Sequence, residues 1–439
     1  MDCKLRAVVF ASVAGMAIVG TGSAFAEAPV GAPIPVQNPE NPRGEAAAAA
    51  AAQQETVTSR PRPEYDPLGI RYEGFYFYPK WTQTEQFDDN IFATPSGGKS
   101  DLISIFSPSF QVRSDFNQHG FSFGSRADLG RYMISPSEDY DDWSLFGDGR
   151  IDLTRDAGLT ASTTLAHRHE DRGSPDDVNG KNPTTFYAFA PTIGGYWQLN
   201  RFSLRTQLGL TRYDYNNAET STGQTIIQDD RDRTEYDVGT RFGYEIVPNY
   251  EAFISGSYNN RVYNQKVDQD GFRRSNHGWE VDAGTALNLT DIIFGNVFAG
   301  YYQQYYQDSN FKTTNGVSFG ADVTWNVTKL TTVKALVERR TEETTQVDAS
   351  SYNSMNFGAS VDHELLRNVI LSAAGSYQQN DYKGITRTDK LYRADVGGKY
   401  LINRYAAVGL AYNFLDRSSD APGEGFTINQ VLLTLDLQM

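Results

Sequence analysis

Few residues in this chain are placed to make or break bonds. Among the five histidines (His119, His167, His169, His277 and His363), His167 and His169 stand two apart. On a strand that spacing puts both imidazoles on one face. A transition metal needs further ligands to be held there, and no third one accompanies them. No Ser-His-acid set stands out, as a hydrolase would require. Asp268-Gln269-Asp270-Gly271 begins like a calcium loop but lacks the later glutamate, so it reads as a turn. Asp88-Asp89-Asn90 also reads as a turn, with carboxylates that could bridge divalent ions or lipopolysaccharide. No glycine loop of the phosphate-cradling kind joins a strand to a helix. These residues point to no enzyme, no cofactor and no metal site.

What the charged residues do have is a period of two. Arg126, Asp128, Asp148, Arg150, Asp152, Arg205, Glu235, Asp237, Arg241, Glu245, Glu280, Asp282, Asp322, Lys334, Glu338, Arg340, Asp362, Glu364, Arg393, Asp395, Lys399 and Asp436 alternate with apolar neighbours. Tyr76, Tyr78, Tyr132 and Tyr196 share the polar side. The chemistry this suits is a hydrated wall of both signs, where ions are paired across strands or sort permeating solutes by charge. An acidic excess between Glu235 and Glu364 favours cations.

Strands must hold such a wall. In the last segment Val431, Leu433, Leu435, Leu437 and Met439 fall on one face, and Thr434, Asp436 and Gln438 on the other. Stretches of about ten residues with this alternation recur from Gly74 onward, as expected of a transmembrane β-barrel. Short turns are expected near Phe116-Asn117-Gln118, Arg155-Asp156, Asn200-Arg201, Pro248-Asn249, Thr290-Asp291, Thr328-Lys329, Arg367-Asn368 and Asn403-Arg404. Longer hydrophilic loops, such as Asp171 to Pro183 and Asn216 to Arg233, separate them. Short turns on one side and long loops on the other are the periplasmic and extracellular ends of an outer-membrane barrel. The expected fold is all-β, an antiparallel up-and-down barrel of eighteen strands, with sixteen as the alternative because the first two alternate less cleanly. An even count puts both termini in the periplasm. Tyr400 and Tyr412 fit an interfacial girdle.

The chain divides into three parts. Residues 1–26 read as a signal peptide: Lys4 and Arg6, an apolar stretch from Ala7 to Gly20, and a cleavage site at Ala24-Phe25-Ala26. Residues 27–71 are rich in Pro and Ala, including the run Ala46 to Ala52, and are expected to be a disordered periplasmic arm. Residues 72–439 are the expected barrel. Cys3, the only cysteine, lies in the leader, so no disulfide is expected in the mature chain. The formal net charge of -15 argues against nucleic acid. A mean hydropathy of -0.50 suits a barrel, half of whose strand residues meet water.

The run Gly69-Ile70-Arg71, Gly74-Phe75, Pro79, Phe87-Asp88-Asp89-Asn90-Ile91-Phe92, Ser100-Asp101 and Pro108 resembles the opening of the putative β-barrel porin 2 family of Gram-negative outer-membrane proteins. Ser114-Asp115, His119, Asp128 and Arg131-Tyr132 continue the likeness. The resemblance implies a channel for exopolysaccharide export working with a periplasmic export protein, set among outer-membrane lipid and lipopolysaccharide by the barrel-assembly machinery. A general diffusion porin for small hydrophilic solutes shares that architecture. A structural or adhesive barrel with a closed lumen is the expectation from another class. Met439 departs from the aromatic residue on which such barrels usually end.

Overall fold

Period-two patterning resolves into eighteen long strands in the computed structural model, which describes residues 55–289, 292–344 and 346–439. They are β1 (Phe75–Asp88), β2 (Asp101–Ser114), β3 (Gly120–Tyr132), β4 (Tyr140–Asp152), β5 (Ala157–His169), β6 (Thr185–Leu199), β7 (Phe202–Tyr215), β8 (Arg233–Val247), β9 (Tyr250–Tyr263), β10 (Asn276–Leu289), β11 (Ile293–Tyr306), β12 (Thr314–Thr328), β13 (Thr331–Glu342), β14 (Ser351–Leu366), β15 (Val369–Lys383), β16 (Thr388–Asn403), β17 (Ala406–Ser419) and β18 (Phe426–Gln438). Each pairs antiparallel with the next. β1 then pairs with β18, from Lys80 opposite Gln438 to Asp88 opposite Gln430, and the sheet closes. Eighteen strands replace the sixteen-strand alternative. The first two alternate less cleanly because Gln83, Glu85 and Ser104 occupy outward positions near the extracellular rim, where Ser104 Oγ donates to Glu85 at 2.7 Å.

The short turns fall where the alternation breaks. Asn200 and Asn249 take positive φ (55° and 71°) in two-residue connections, and asparagine tolerates that region. Thr290-Asp291 lies outside the described residues, although Leu289 and Ile293 beside it are paired. Register follows from which face can meet hydrocarbon. Val281, Val317, Val396, Leu433 and Leu435 are exposed on the outside, so Asp282, Ser318, Asp395 and Thr434 point inward. A slip of one residue would reverse every such pair and turn each charge toward lipid at about 2–4 kcal/mol near the midplane. Tyr400 and Tyr412 are exposed on the lipid-facing side.

Buried apolar clusters lie at the extracellular end. Phe186, Ala188, Tyr213 and Tyr215 form one, Ile91, Ile103 and Ile105 a second, and Ala349, Tyr352 and Tyr382 a third. The middle of the barrel is lined by polar and charged side chains instead.

At the other end, residues 55–71 of the N-terminal arm are packed where disorder was expected. Its portion 27–54, expected to be disordered, lies outside the described residues. From Glu55 it does not hang free. Val57 is 1% exposed and Arg62 3%, packed on the periplasmic rim, because the rim supplies partners for the arm's backbone. Ile70–Tyr72 then forms a short strand on Phe75–Phe77. β18 ends opposite Lys80, so this short strand continues its track along the edge of β1.

Replacing Leu433, outward on the final strand, with arginine is expected to destabilise the barrel by about 2–4 kcal/mol. Thr434→Arg, one position along and facing water, is expected to cost a small fraction of that. Reversible folding into lipid vesicles, followed by tryptophan fluorescence, measures both.

Candidate functional site: the lumen and its two mouths

Every charged residue singled out in the sequence lies on the inward parity of its strand, opposite the exposed apolar set. Their partners differ. Asp436 is fully engaged: it accepts from Lys399 Nζ at 2.7 Å and Thr82 Oγ1 at 2.7 Å, and Lys80 Nζ lies at 3.0 Å. Arg126 is paired with Asp128 at 2.9 Å, Arg150 with Asp152 at 2.9 Å, Arg241 with Glu251 at 2.8 Å and Arg340 with Glu338 at 2.6 Å. Glu235 pairs with Arg233 at 2.7 Å and Glu364 with Arg62 of the arm at 2.9 Å. Other carboxylates are held only by neutral donors. Asp148 accepts from Ser122 at 2.5 Å, Asp282 from Ser318 at 2.7 Å, and Asp362 from Ser372 at 2.6 Å. Glu245 accepts from the Asn249 amide at 3.3 Å, and Asp322 lies 3.5 Å from Asn296 Nδ2. Asp282 reaches Ser318 across Gly300, where a Cβ would sit 2.3 Å from Asp282 Oδ1. Asp237, Glu280, Lys334 and Asp395 make no ion pair among the described residues. Arg205 and Arg393 face inward beside them, Arg393 lying 3.4 Å from Gln378 Oε1.

Charge is uneven around the ring. On β8 to β14 the inward carboxylates are Glu235, Asp237, Glu245, Glu251, Glu280, Asp282, Asp322, Glu338, Glu342, Asp362 and Glu364. Facing inward with them are only Arg233, Arg241, Arg261, Lys334 and Arg340. On β1 to β7, Lys80, Arg113, Arg126, Arg150, Arg168 and Arg205 balance Asp88, Asp101, Asp128, Asp142, Asp148 and Asp152. One wall is therefore acidic and the wall across from it nearly neutral. Tyr76, Tyr78, Tyr132 and Tyr196 also face inward, and Tyr196 Oη donates to Asp152 at 3.1 Å.

Two outer loops fold over the lumen. The β5–β6 loop leaves Glu170, which receives Arg231 of the β7–β8 loop at 2.8 Å. Arg172 grips Glu138 with two bonds of 2.7 and 2.8 Å. Farther along, Arg417 of β17 donates to Gly173 O at 3.0 Å. Asp176 accepts from Thr344 at 3.1 Å, and Gln346 Nε2 donates to Pro175 O at 2.8 Å. Thr344 and Gln346 lie between β13 and β14, eight strands around a ring of eighteen from the loop's own base. The loop thus spans the outer mouth almost along a diameter. The β13–β14 loop leans in to meet it, held by Arg261 on Glu343 at 2.7 Å and Arg274 on Thr344 O at 2.7 Å. Sequence reading placed Asp171 to Pro183 as a hydrophilic loop and missed its inward course. The available signal was the acid-rich, glycine-bearing stretch Glu170 to Gly180, which Arg231 and Arg417 reach.

The remaining motifs have local roles. Asp88, Asp89 and Asn90 fasten the barrel seam: Asp88 accepts from Gln430 Nε2 at 2.7 Å, Asp89 from the Asn429 backbone and side chain at 2.7 Å each, and Asn90 Nδ2 donates to Thr427 O at 3.0 Å. The expectation that His167 and His169 share a face is corrected. His167 stacks with Trp143 and Tyr187, while His169 stacks on Tyr140 and bonds Asp142 at 2.9 Å, because the chain is leaving the strand there. Asp268 spends its carboxylate on the Asp270 and Phe272 amides and on Arg274, as a turn does.

In the bridging loop, burial pushes Asp177 up to about 6, against the pull of Arg172 and with the repulsion of Glu170 and Glu138 behind it. A carboxyl raised on docking holds its proton more tightly in the docked loop than in a free one. Docking is therefore strongest below the ordinary carboxylate range and weakens as pH rises through about 6. Spin labels at Lys181 and Lys312 are expected to give a narrower distance distribution at pH 5 than at pH 8. Asp177→Asn is expected to give the narrow distribution at both.

The sequence profile of the putative β-barrel porin 2 family matches residues 62–439. Curated proteins yield no match. Among solved structures, OccK3 (OpdO) of Pseudomonas aeruginosa has a TM-score of 0.43 at 13% identity, with 84% of this chain and 96% of that chain covered. OccK2 (OpdF) of the same organism, in complex with glucuronate, has a TM-score of 0.46 at 10% identity over 84% of this chain and 100% of that one. Its ferric enterobactin receptor (PfeA) has a TM-score of 0.46 at 6% identity, covering 83% and 80%. With most of its length matched and a closed eighteen-stranded wall around a polar lumen, the chain belongs to the putative β-barrel porin 2 family, as an outer-membrane channel protein with both termini in the periplasm.

Proposed function

We propose that the barrel is a passive aqueous passage for small hydrophilic solutes, with a preference for cations. The observation that carries this reading is the β5–β6 loop lashed across the outer mouth to Thr344, Gln346 and Arg417. An eighteen-stranded barrel is wide enough to leave a channel once its side chains are placed. A loop crossing it divides that opening and limits what passes by size, as inward-folded loops do in a sieve. The acidic excess on β8 to β14 sets the sign of the preference, since a carboxylate-lined constriction concentrates cations. The residues proposed to tune it are Asp237, Glu280, Asp282 and Asp322, which neighbouring arginines neutralise least.

Polysaccharide export with a periplasmic partner, the main expectation from the sequence, is the second reading. It requires the Glu170–Thr184 loop to swing clear, because a polymer occupies the mouth for as long as it is threading. The cation preference and the size limit can be measured together. In planar bilayers under a tenfold KCl gradient, the purified mature protein is expected to conduct steadily and to show a cation-selective reversal potential. Asp282→Asn with Asp322→Asn is expected to move that potential toward zero while conductance changes by less than about twofold. Silence until a polymer or a periplasmic export protein is added would reject this reading in favour of export. Silence under every condition would favour a closed structural barrel.

A further inference from the structure

The segment from Glu55 to Tyr65 is fastened inside the periplasmic rim, yet it belongs to no strand. Its attachments are nearly all single hydrogen bonds between rim side chains and its backbone. Asn326 Nδ2 donates to Glu55 O at 2.8 Å, and the Val57 amide donates to Thr332 Oγ1 at 2.9 Å. Arg367 donates to Pro61 O at 3.0 Å, and Gln438 Nε2 lies 3.3 Å from Tyr65 O. Its ionic anchor is Glu364, which Arg62 reaches at 2.9 Å with both side chains almost fully buried, and which Arg60 approaches at 3.6 Å. Thr332 and Glu364 point inward, so the segment lies within the opening and not beneath it. It follows the rim from β12 to β18, seven strands of the eighteen.

Two features make the attachment separable from the barrel. No ladder bond of the eighteen strands runs through it, so its departure leaves the wall intact. Between it and the seam strand Ile70–Tyr72 stands Gly69, at φ 72°, where an added Cβ would lie 2.6 Å from the Tyr78 ring. A residue free to take unusual backbone angles thus joins a tied strand to a segment held by side chains.

We propose that Glu55–Tyr65 is a strap that partly closes the periplasmic mouth, latched by Arg62 on Glu364 and turning at Gly69. Removing Glu364 leaves Arg62 buried without its carboxylate, and reversing Arg62 sets two carboxylates against each other, so either change favours release. With the strap out, the periplasmic opening widens on the side of β12 to β18 and Glu364 joins the water-facing acidic wall. This inference uses the channel reading above for its readout but is tested apart from it.

Single-channel recording of the mature protein and of a variant lacking residues 55–66 decides the matter. The deletion is expected to raise conductance by about 1.5-fold or more. Arg62→Glu is expected to give frequent excursions to that higher level, and Arg62→Glu with Glu364→Arg to suppress them. Because the deletion could impair folding, a second variant, Val57→Cys with Thr332→Cys, pins the strap in place. Cys3, in the leader, is the one other cysteine. Oxidised, this variant is expected to stay at the low level; reduced, it is expected to match the unmodified protein's fluctuations. A silent mature protein with a conducting deletion would overturn the channel reading and support the strap. Equal conductance and noise in the mature protein, the deletion and both redox states, silence included, would overturn the strap.

Discussion

Hydrocarbon offers no partner to an amide, and an unpaired one there costs several kcal/mol. The eighteen strands answer this by bonding each to the next and the last to the first. Everything else in the molecule is arranged around that closed ladder. With the backbone engaged along the ladder, side chains are left to face either acyl chains or water, and their alternation decides which. Asp282, Asp322 and Asp436 can carry charge inside a membrane because Val281, Val323 and Leu435 beside them meet the lipid.

A ring of eighteen strands encloses more space than its own side chains fill, and the protein treats its two openings differently. Outside, the loop is tied by buried ion pairs, Arg231 with Glu170 and Arg172 with Glu138, and is backed by aromatic clusters. Inside, the arm is held by scattered bonds to its carbonyls and by Arg60 and Arg62 sharing one carboxylate, Glu364. Burying both members of a charge pair with good geometry makes either hard to remove singly. The outer covering is therefore the stiffer of the two.

Much of the architecture was legible in the sequence because lipid imposes a period that local composition cannot mimic. The turns at Asn200-Arg201 and Pro248-Asn249 and the inward course of Asp282 or Asp395 follow from that period alone. What could not be read was anything set by contacts across the ring. Nothing near Asp176 in sequence announces Thr344, and nothing in the proline-rich arm announces Glu364. Those pairings depend on curvature and strand number, which bring distant segments together only once the sheet has closed. Where local pattern failed, as for His169, the reason was a strand end at which alternation no longer governs direction.

The seam links opposite ends of the polypeptide: Asp89 meets Asn429 across 340 positions, and Ile70–Tyr72 completes the track that the last strand leaves short. Joining such remote segments carries a large entropic penalty and waits on the synthesis of β18. Neighbouring hairpins can form first, but the cylinder cannot exist until β18 meets β1. Biogenesis thus has a built-in completeness check, since a chain that stops early retains an open edge with no clasp for Asp88, Asp89 and Asn90 to engage.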